Sequence, residues 1–120
     1  MSAPKQRRSD CAIAGTLDIL GDRWSLLIVR DLYFAEEMRY GDFMTGGENV
    51  PTNTLADRLR KLEEAEIITR TAYQDNPPRY VYRLTGKGRD LGPVLDAVAG
   101  WGLRHIPGTL RLGRPAASPS

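Results

Sequence analysis

Leu55, Leu59 and Leu62 recur at helical spacing in a run that begins at Pro51, and the positions between them are mostly polar. At about 100° per residue the leucines share one side, while Asn53, Thr54, Asp57, Arg60 and Lys61 fall on the opposite arc. Proline is favoured at the first helical position, so the spacing predicts a helix from Pro51 or Thr52 to about Ala65. Two β-prone runs follow directly, Ile67 to Tyr73 and Arg79 to Leu84, separated by Gln74-Asp75-Asn76-Pro77-Pro78. They predict a β-hairpin with a stiffened tip. A helix with one polar face and a hairpin immediately behind it leaves few folds open.

The rest of the chain narrows the choice. Ile13, Leu17 and Leu20 mark a first short helix that the Gly21-Asp22 turn should end. Trp24, Leu27, Ile28, Leu32 and Phe34 form a stripe too wide for a surface helix, so a second helix should lie at the centre of the core. Arg39 to Met44 reads as one amphipathic helical turn, and Gly46-Gly47-Glu48-Asn49 as a connector tolerant of positive φ. Thr85 is a good N-cap for a last helix with a stripe of Leu91, Val94 or Leu95, Val98 and Trp101, ending near Gly102. The expected fold is therefore mainly α with a small β-hairpin. A short helix, a connector and a second helix make a helix-turn-helix, and the adjacent hairpin makes a wing.

Several functions are excluded by what the chain lacks. With 120 residues, 41% of them hydrophobic, it has room for one modest core. One cysteine and one histidine leave no disulfide framework and no four-ligand zinc site. A nucleophilic triad could form only around His105, Glu36 and Glu37 are adjacent rather than opposed, and Gly86-Lys87-Gly88 lacks the spacing of a phosphate loop. No catalytic residue, metal ligand set or cofactor is expected, so the chain does not read as an enzyme. No apolar run approaches the roughly twenty residues of a membrane span, and Met1 to Asp10 has no signal-peptide core. A cytoplasmic protein without a membrane partner is expected. Residues 1–10 should be a flexible basic tail, 11–105 the folded domain and 106–120 a second flexible tail.

The net charge of +2 gives no bulk argument for nucleic acid, so the case rests on placement. From Pro51 to Arg89 eight basic side chains face five acidic ones, a local excess of +3. The major groove admits one helix, where Asn can pair with adenine and Arg with guanine. Asn53, Thr54 and Arg58 are thus candidate base readers. Thr52 adds a hydroxyl, and the helix N-terminus favours phosphate. Arg60 and Lys61 extend the polar arc, although with Glu63 and Glu64 they equally describe a solvated face of offsetting signs. Double-stranded DNA is the partner this arrangement predicts. The alternative is a winged helix that docks a protein without specific DNA binding, motivated by the near-neutral total charge and by Asp57, Glu63 and Glu64.

From Cys11 to Trp101 the chain resembles the HxlR-type winged helix-turn-helix transcriptional regulators. The resemblance rests on Cys11, Leu17, Leu20-Gly21-Asp22-Arg23-Trp24, Arg39-Tyr40-Gly41-Asp42-Phe43, Leu55, Leu59-Arg60-Lys61-Leu62-Glu63, Tyr73 with Pro77-Pro78, and Tyr82-Arg83-Leu84-Thr85 with Gly88. It implies a homodimer in which extra N- and C-terminal helices pair across a two-fold axis, here Cys11 to Leu20 and Asp90 to Trp101. That assigns Ile13, Leu17, Leu95, Val98 and Trp101 to the interface. Independently, both stripes exceed what one small core absorbs. The resemblance also implies an inverted-repeat operator with half-sites about 10 bp apart, repression or activation by promoter occupancy, and a wing that brings Arg79 and Tyr80 to phosphate or the minor groove. Cys11 matches a position that some members use to sense quinones, aldehydes or oxidants, so a small-molecule or oxidant effector is implied; Arg7 and Arg8 nearby would favour the thiolate. The bland reading of Cys11 is a small packed residue.

Two departures flank the polar helix. Glu48-Asn49-Val50-Pro51 stands where the family commonly has Pro-Gly-Ile-Ser, with Asn49 able to adopt the left-handed conformation. Glu66 stands where a glycine usually closes the helix, which predicts a non-glycine residue at positive φ at a cost of about 1 kcal/mol.

Overall fold

A computed structural model describes residues 9–45 and 48–111. Most of both tails, including Arg7 and Arg8, and Gly46-Gly47 of the connector lie outside the described residues. The elements run α1 (Ala12–Leu20), α2 (Ser25–Ala35), β1 (Met38–Arg39), α3 (Tyr40–Met44), α4 (Thr52–Glu64), β2 (Ile68–Asp75), β3 (Pro78–Leu84), α5 (Gly86–Arg89) and α6 (Gly92–His105). The mainly helical architecture with a small antiparallel sheet is the one the hydrophobic periodicity predicts.

The core is built around α2, where Ile28, Val29 and Leu32 are buried against Phe43 of α3, Leu55, Leu59 and Leu62 of α4, and Ile68, Tyr82 and Leu84 of the sheet. Val29 takes the inward place that the sequence stripe gave to Leu27, and Trp24 and Phe34 are only half-buried. The start of α2 is fixed by Asp22. One carboxylate oxygen accepts from the amides of Trp24 (2.9 Å) and Ser25 (3.0 Å), the other from the Ser25 hydroxyl (2.5 Å). These bonds satisfy donors that a helix N-terminus leaves without partners. Just before it, the Gly21 amide donates to the Leu17 carbonyl at 2.8 Å, and a side chain there would meet that oxygen at 2.4 Å. The turn between α1 and α2 therefore requires glycine.

The sheet has three strands in the order β1-β3-β2, all antiparallel. β1 is two residues long, paired as Met38 with Tyr82 and Arg39 with Val81, and gave no sequence signal. The hairpin runs closer to its tip than the residue preferences indicated, pairing Asp75 with Pro78 around Asn76-Pro77, with a bulge between Ala72 and Gln74. Ile68, Arg70 and Ala72 oppose Leu84, Tyr82 and Tyr80 on the face toward the core, and alternation sends Thr69, Thr71, Val81 and Arg83 to the other.

Thr85 caps a helix as expected, its hydroxyl accepting from the Gly88 amide at 3.0 Å, but that helix is only the four-residue α5. The helical run is interrupted at Asp90 and Leu91 and resumes as α6, which packs closely on α2: a Cβ on Gly92 would lie 2.5 Å from the Tyr33 hydroxyl. Leu95 is buried in the protomer core, 8% exposed, which corrects its assignment to a dimer interface. The first half of α6 faces inward and its second half does not. Beyond α6 the described part of the expected tail folds back, with Thr109 Oγ1 donating to the Gly102 carbonyl (3.1 Å) and Arg111 pairing with Asp96 (2.6 Å).

Candidate nucleic-acid interface

α4 is positioned from both ends. At its start Asn49 has φ of 57°, the left-handed turn expected of it, and the Tyr40 hydroxyl donates to the Thr52 carbonyl at 3.0 Å. This bond ties α3 to the first turn of α4 and sets the turn of the helix-turn-helix. At its end Glu66 has φ of 63°, as its place in the sequence predicts. The carbonyls this turn releases find partners: Lys87 Nζ donates to Ala65 at 2.7 Å and the Thr85 hydroxyl to Glu66 at 2.6 Å. The buried leucine stripe fixes the rotation of the helix about its axis.

That rotation leaves Thr52 and Asn53 exposed and Thr54 half-exposed on the first turn, followed one turn later by Asp57 and then by Arg60 and Lys61. Asn53 Oδ1 accepts from the Thr54 amide at 3.0 Å, a local bond at the open helix end. Arg60 Nη2 donates to Asp57 at 2.7 Å and Nη1 to Glu64 at 3.1 Å, and Lys61 Nζ lies 3.6 Å from Asp57. The cations of the polar arc are thus paired along the helix, at i,i+3 and i,i+4 spacings. Such exposed pairs contribute little to stability and break easily.

Arg58 is placed differently from the expectation that it reads a base. It sits beside the leucine stripe, and its guanidinium turns back to Asp22 (3.2 Å) and to Asp57 (2.5 Å). Burial works against the charge on Asp22, but the Ser25 hydroxyl, the two amides and Arg58 outweigh it and hold this carboxyl below the usual aspartate range. Arg58 therefore anchors α4 to the junction of α1 and α2. Sequence spacing could not reveal this partner, which is 36 positions away.

On the wing, Arg79 is exposed near the tip. Tyr80 is half-buried on the core-facing side, with the Arg70 guanidinium 4.2 Å from its ring centroid, so it supports the wing rather than projecting from it. Arg70 also reaches Glu63 of α4 at 3.5 Å, linking wing and helix. Arg39 lies 4.6 Å over the ring of Tyr73, and Arg83 pairs with Glu37. From the sequence alone Arg70 has no assigned role and Arg39 only a place in a family motif, because what they do depends on cross-strand neighbours.

Away from α4, α1 has no buried residue. Ile13 (71% exposed) and Leu17 (56%) on α1, and Val98 (53%) and Trp101 (56%) on α6, offer apolar side chains to solvent. Cys11 is exposed at the N-terminal cap of α1. Among the described residues there is no cluster of potential metal ligands, and no helix is long and apolar enough to cross a membrane.

A short helix, a core-anchored helix after it with an exposed polar face and a hairpin packed beside it define a winged helix-turn-helix protein. The chain belongs to the HxlR-like helix-turn-helix family, whose profile matches residues 19–109. It is 41% identical over 88 residues to sll1512, an HTH-type transcriptional regulator of Synechocystis, across 73% of this chain and 64% of that protein. The chain thus spans less than two thirds of this curated relative. Among solved structures it is similar to PA1607, described as a candidate transcription factor, with 35% identity and a TM-score of 0.76 over 88% of this chain and 74% of that one. It is also similar to the redox regulator HypR in its oxidized form, with 27% identity and a TM-score of 0.68 over 85% of this chain and all of the other.

Proposed function

We propose that the protein is a homodimeric, sequence-specific DNA-binding transcriptional regulator that acts on an inverted-repeat operator. The observation that carries this reading is the exposed first turn of α4, with Thr52, Asn53 and Thr54 at a helix N-terminus anchored from behind by leucines and by Arg58. Such a terminus presents amides to phosphate and side chains to base edges. The apolar surface of α1 and α6 supports pairing of two protomers, which would supply two such helices. Arg60, Lys61 and Arg79 serve phosphate contact, and Arg58 and Tyr80 hold α4 and the wing in place.

Selection of duplexes from a random library by the purified chain tests the reading. Affinity for the recovered site should fall steeply with salt, because each phosphate neutralised releases counterions. Arg79→Ala is expected to weaken binding about uniformly across sequences and to flatten the salt slope by about one unit, whereas Asn53→Ala should relax selectivity by roughly 10-fold at one base pair. Fluorescence anisotropy over a salt series measures both. If no duplex is enriched, the pairing of Arg60 and Lys61 with Asp57 and Glu64 favours the protein-docking alternative.

The exposed thiol of Cys11 beside the apolar face of α1 supports sensing of an oxidant or electrophile, as does similarity to a redox regulator. Diamide is expected to change operator affinity of the unmodified chain and to leave Cys11→Ser unaffected. Equal changes in both would dismiss Cys11 as the sensor.

A further inference from the structure

The centre of the exposed arc of α4 is occupied by an acid. Asp57 stands one turn after Asn53, on the same face, and one turn before Arg60 and Lys61. Its carboxylate accepts from Arg58 at 2.5 Å and from Arg60 at 2.7 Å, with Lys61 at 3.6 Å. Two of these partners are open to solvent: Arg60 and Lys61 are more than half exposed, and their long stems can reach phosphates. The third is fixed, because Arg58 is held between Asp57 and Asp22. When α4 enters a groove, Asp57 keeps the Arg58 countercharge, which it shares with Asp22, and that offsets part of the repulsion a bare carboxylate would feel from the phosphates. The Arg58 hydrogen bond, with the charge of Lys61, the Arg60 hydrogen bond and the charge of Arg58, keeps the carboxyl below its ordinary pKa against the cost of desolvation, so it remains an acceptor without a proton to donate.

The geometry points to Asp57 as a base-reading residue that selects cytosine at one position of each half-site, by accepting a hydrogen bond from the exocyclic N4 amino group in the major groove. This rests on the reading of α4 as the recognition helix. In that groove cytosine offers an amino donor, guanine offers only the O6 and N7 acceptors, and thymine offers O4 and a methyl group. A carboxylate is repelled by acceptors and cannot pair with them. Adenine presents an N6 amino group but sets the N7 lone pair beside it, which disfavours the second carboxylate oxygen. An acid at the middle of the polar arc thus acts as a selective element, where net charge alone would read it as a liability.

The test is selection from a random duplex library with the full chain, with Asp57→Ala and with Asp57→Asn, each first shown by thermal melting to be folded. The unmodified chain is expected to enrich cytosine over guanine by about 10-fold or more at one fixed position in both halves of the site. Asp57→Ala should reduce that preference to below about 2-fold while the other positions keep theirs, and Asp57→Asn should move it toward adenine. If the unmodified chain enriches a site and Asp57→Ala retains the same cytosine preference, Asp57 is only a counter-ion; this inference falls and DNA recognition stands. If the unmodified chain enriches no duplex, both fall together.

Discussion

Trp101→Asp is expected to yield a monomer whose operator affinity is lower by at least about 100-fold. The second half of α6 and α1 before Leu20 carry large apolar side chains that the protomer does not cover; Val98, Trp101, Ile13 and Leu17 are all more than half exposed. Burying one such side chain contributes roughly 1.5–3 kcal/mol. In a two-fold interface every residue counts twice, so a carboxylate at position 101 introduces two unpaired charges into the buried patch. An interface of ordinary size does not tolerate that. Loss of the dimer uncouples the two half-sites, so the second recognition helix no longer binds as part of the same molecule. Sedimentation velocity at micromolar concentration reports the assembly, and anisotropy on the operator reports the affinity. A variant that stays dimeric would place the interface elsewhere. Leu95→Ala separates the two halves of α6: Leu95 lies in the protomer core, so its loss should lower folding stability by about 2–5 kcal/mol.

This division of α6 shows why the periodicity was informative only in part. Leu91, Leu95, Val98 and Trp101 form one continuous stripe in sequence, and nothing in the spacing marks where the core ends and the open surface begins. The boundary is set by how far α2 extends beneath α6, which is a property of packing. Packing likewise decides the role of Arg58. Its angle on α4 borders the stripe, and whether it points outward or inward depends on Asp22, a partner the sequence does not place nearby. By contrast, Leu55, Leu59 and Leu62 are buried as their spacing required, and Asn49 and Glu66 take positive φ as the departures from the family pattern implied. Those features are local, governed by backbone sterics and by the helical repeat. β1 was illegible for the opposite reason, because two residues carry no period and become a strand only through the edge of β3.

Asp22 joins the α1–α2 junction to α4 through Arg58, and Asp22→Ala is expected to destabilise the protein by about 2–4 kcal/mol. Three losses contribute. Losing the cap of α2 costs about 0.5–2 kcal/mol. Ser25 is buried, and its hydroxyl loses its acceptor, a penalty of about 1–3 kcal/mol. Arg58 loses one of two carboxylates and with it the tether between α4 and the end of α1. These contributions overlap, so they do not add fully. Asp22→Asn keeps an oxygen for the amides and should cost only about 1 kcal/mol, chiefly through the ion pair. The two substitutions also differ in acid. Because hydrogen bonds and Arg58 hold the folded-state pKa of Asp22 below the ordinary aspartate range, its charge stabilises the fold at and above that range, and this contribution is lost as pH falls through the folded-state pKa. Denaturant melts at pH 7 and near pH 3 should therefore show the gap between the unmodified chain and Asp22→Asn narrowing in acid, while Asp22→Ala stays well below both. A gap of the same size at both pH values would mean that the Asp22 carboxylate contributes geometry and not charge. The tether from Arg58 would then act through packing alone.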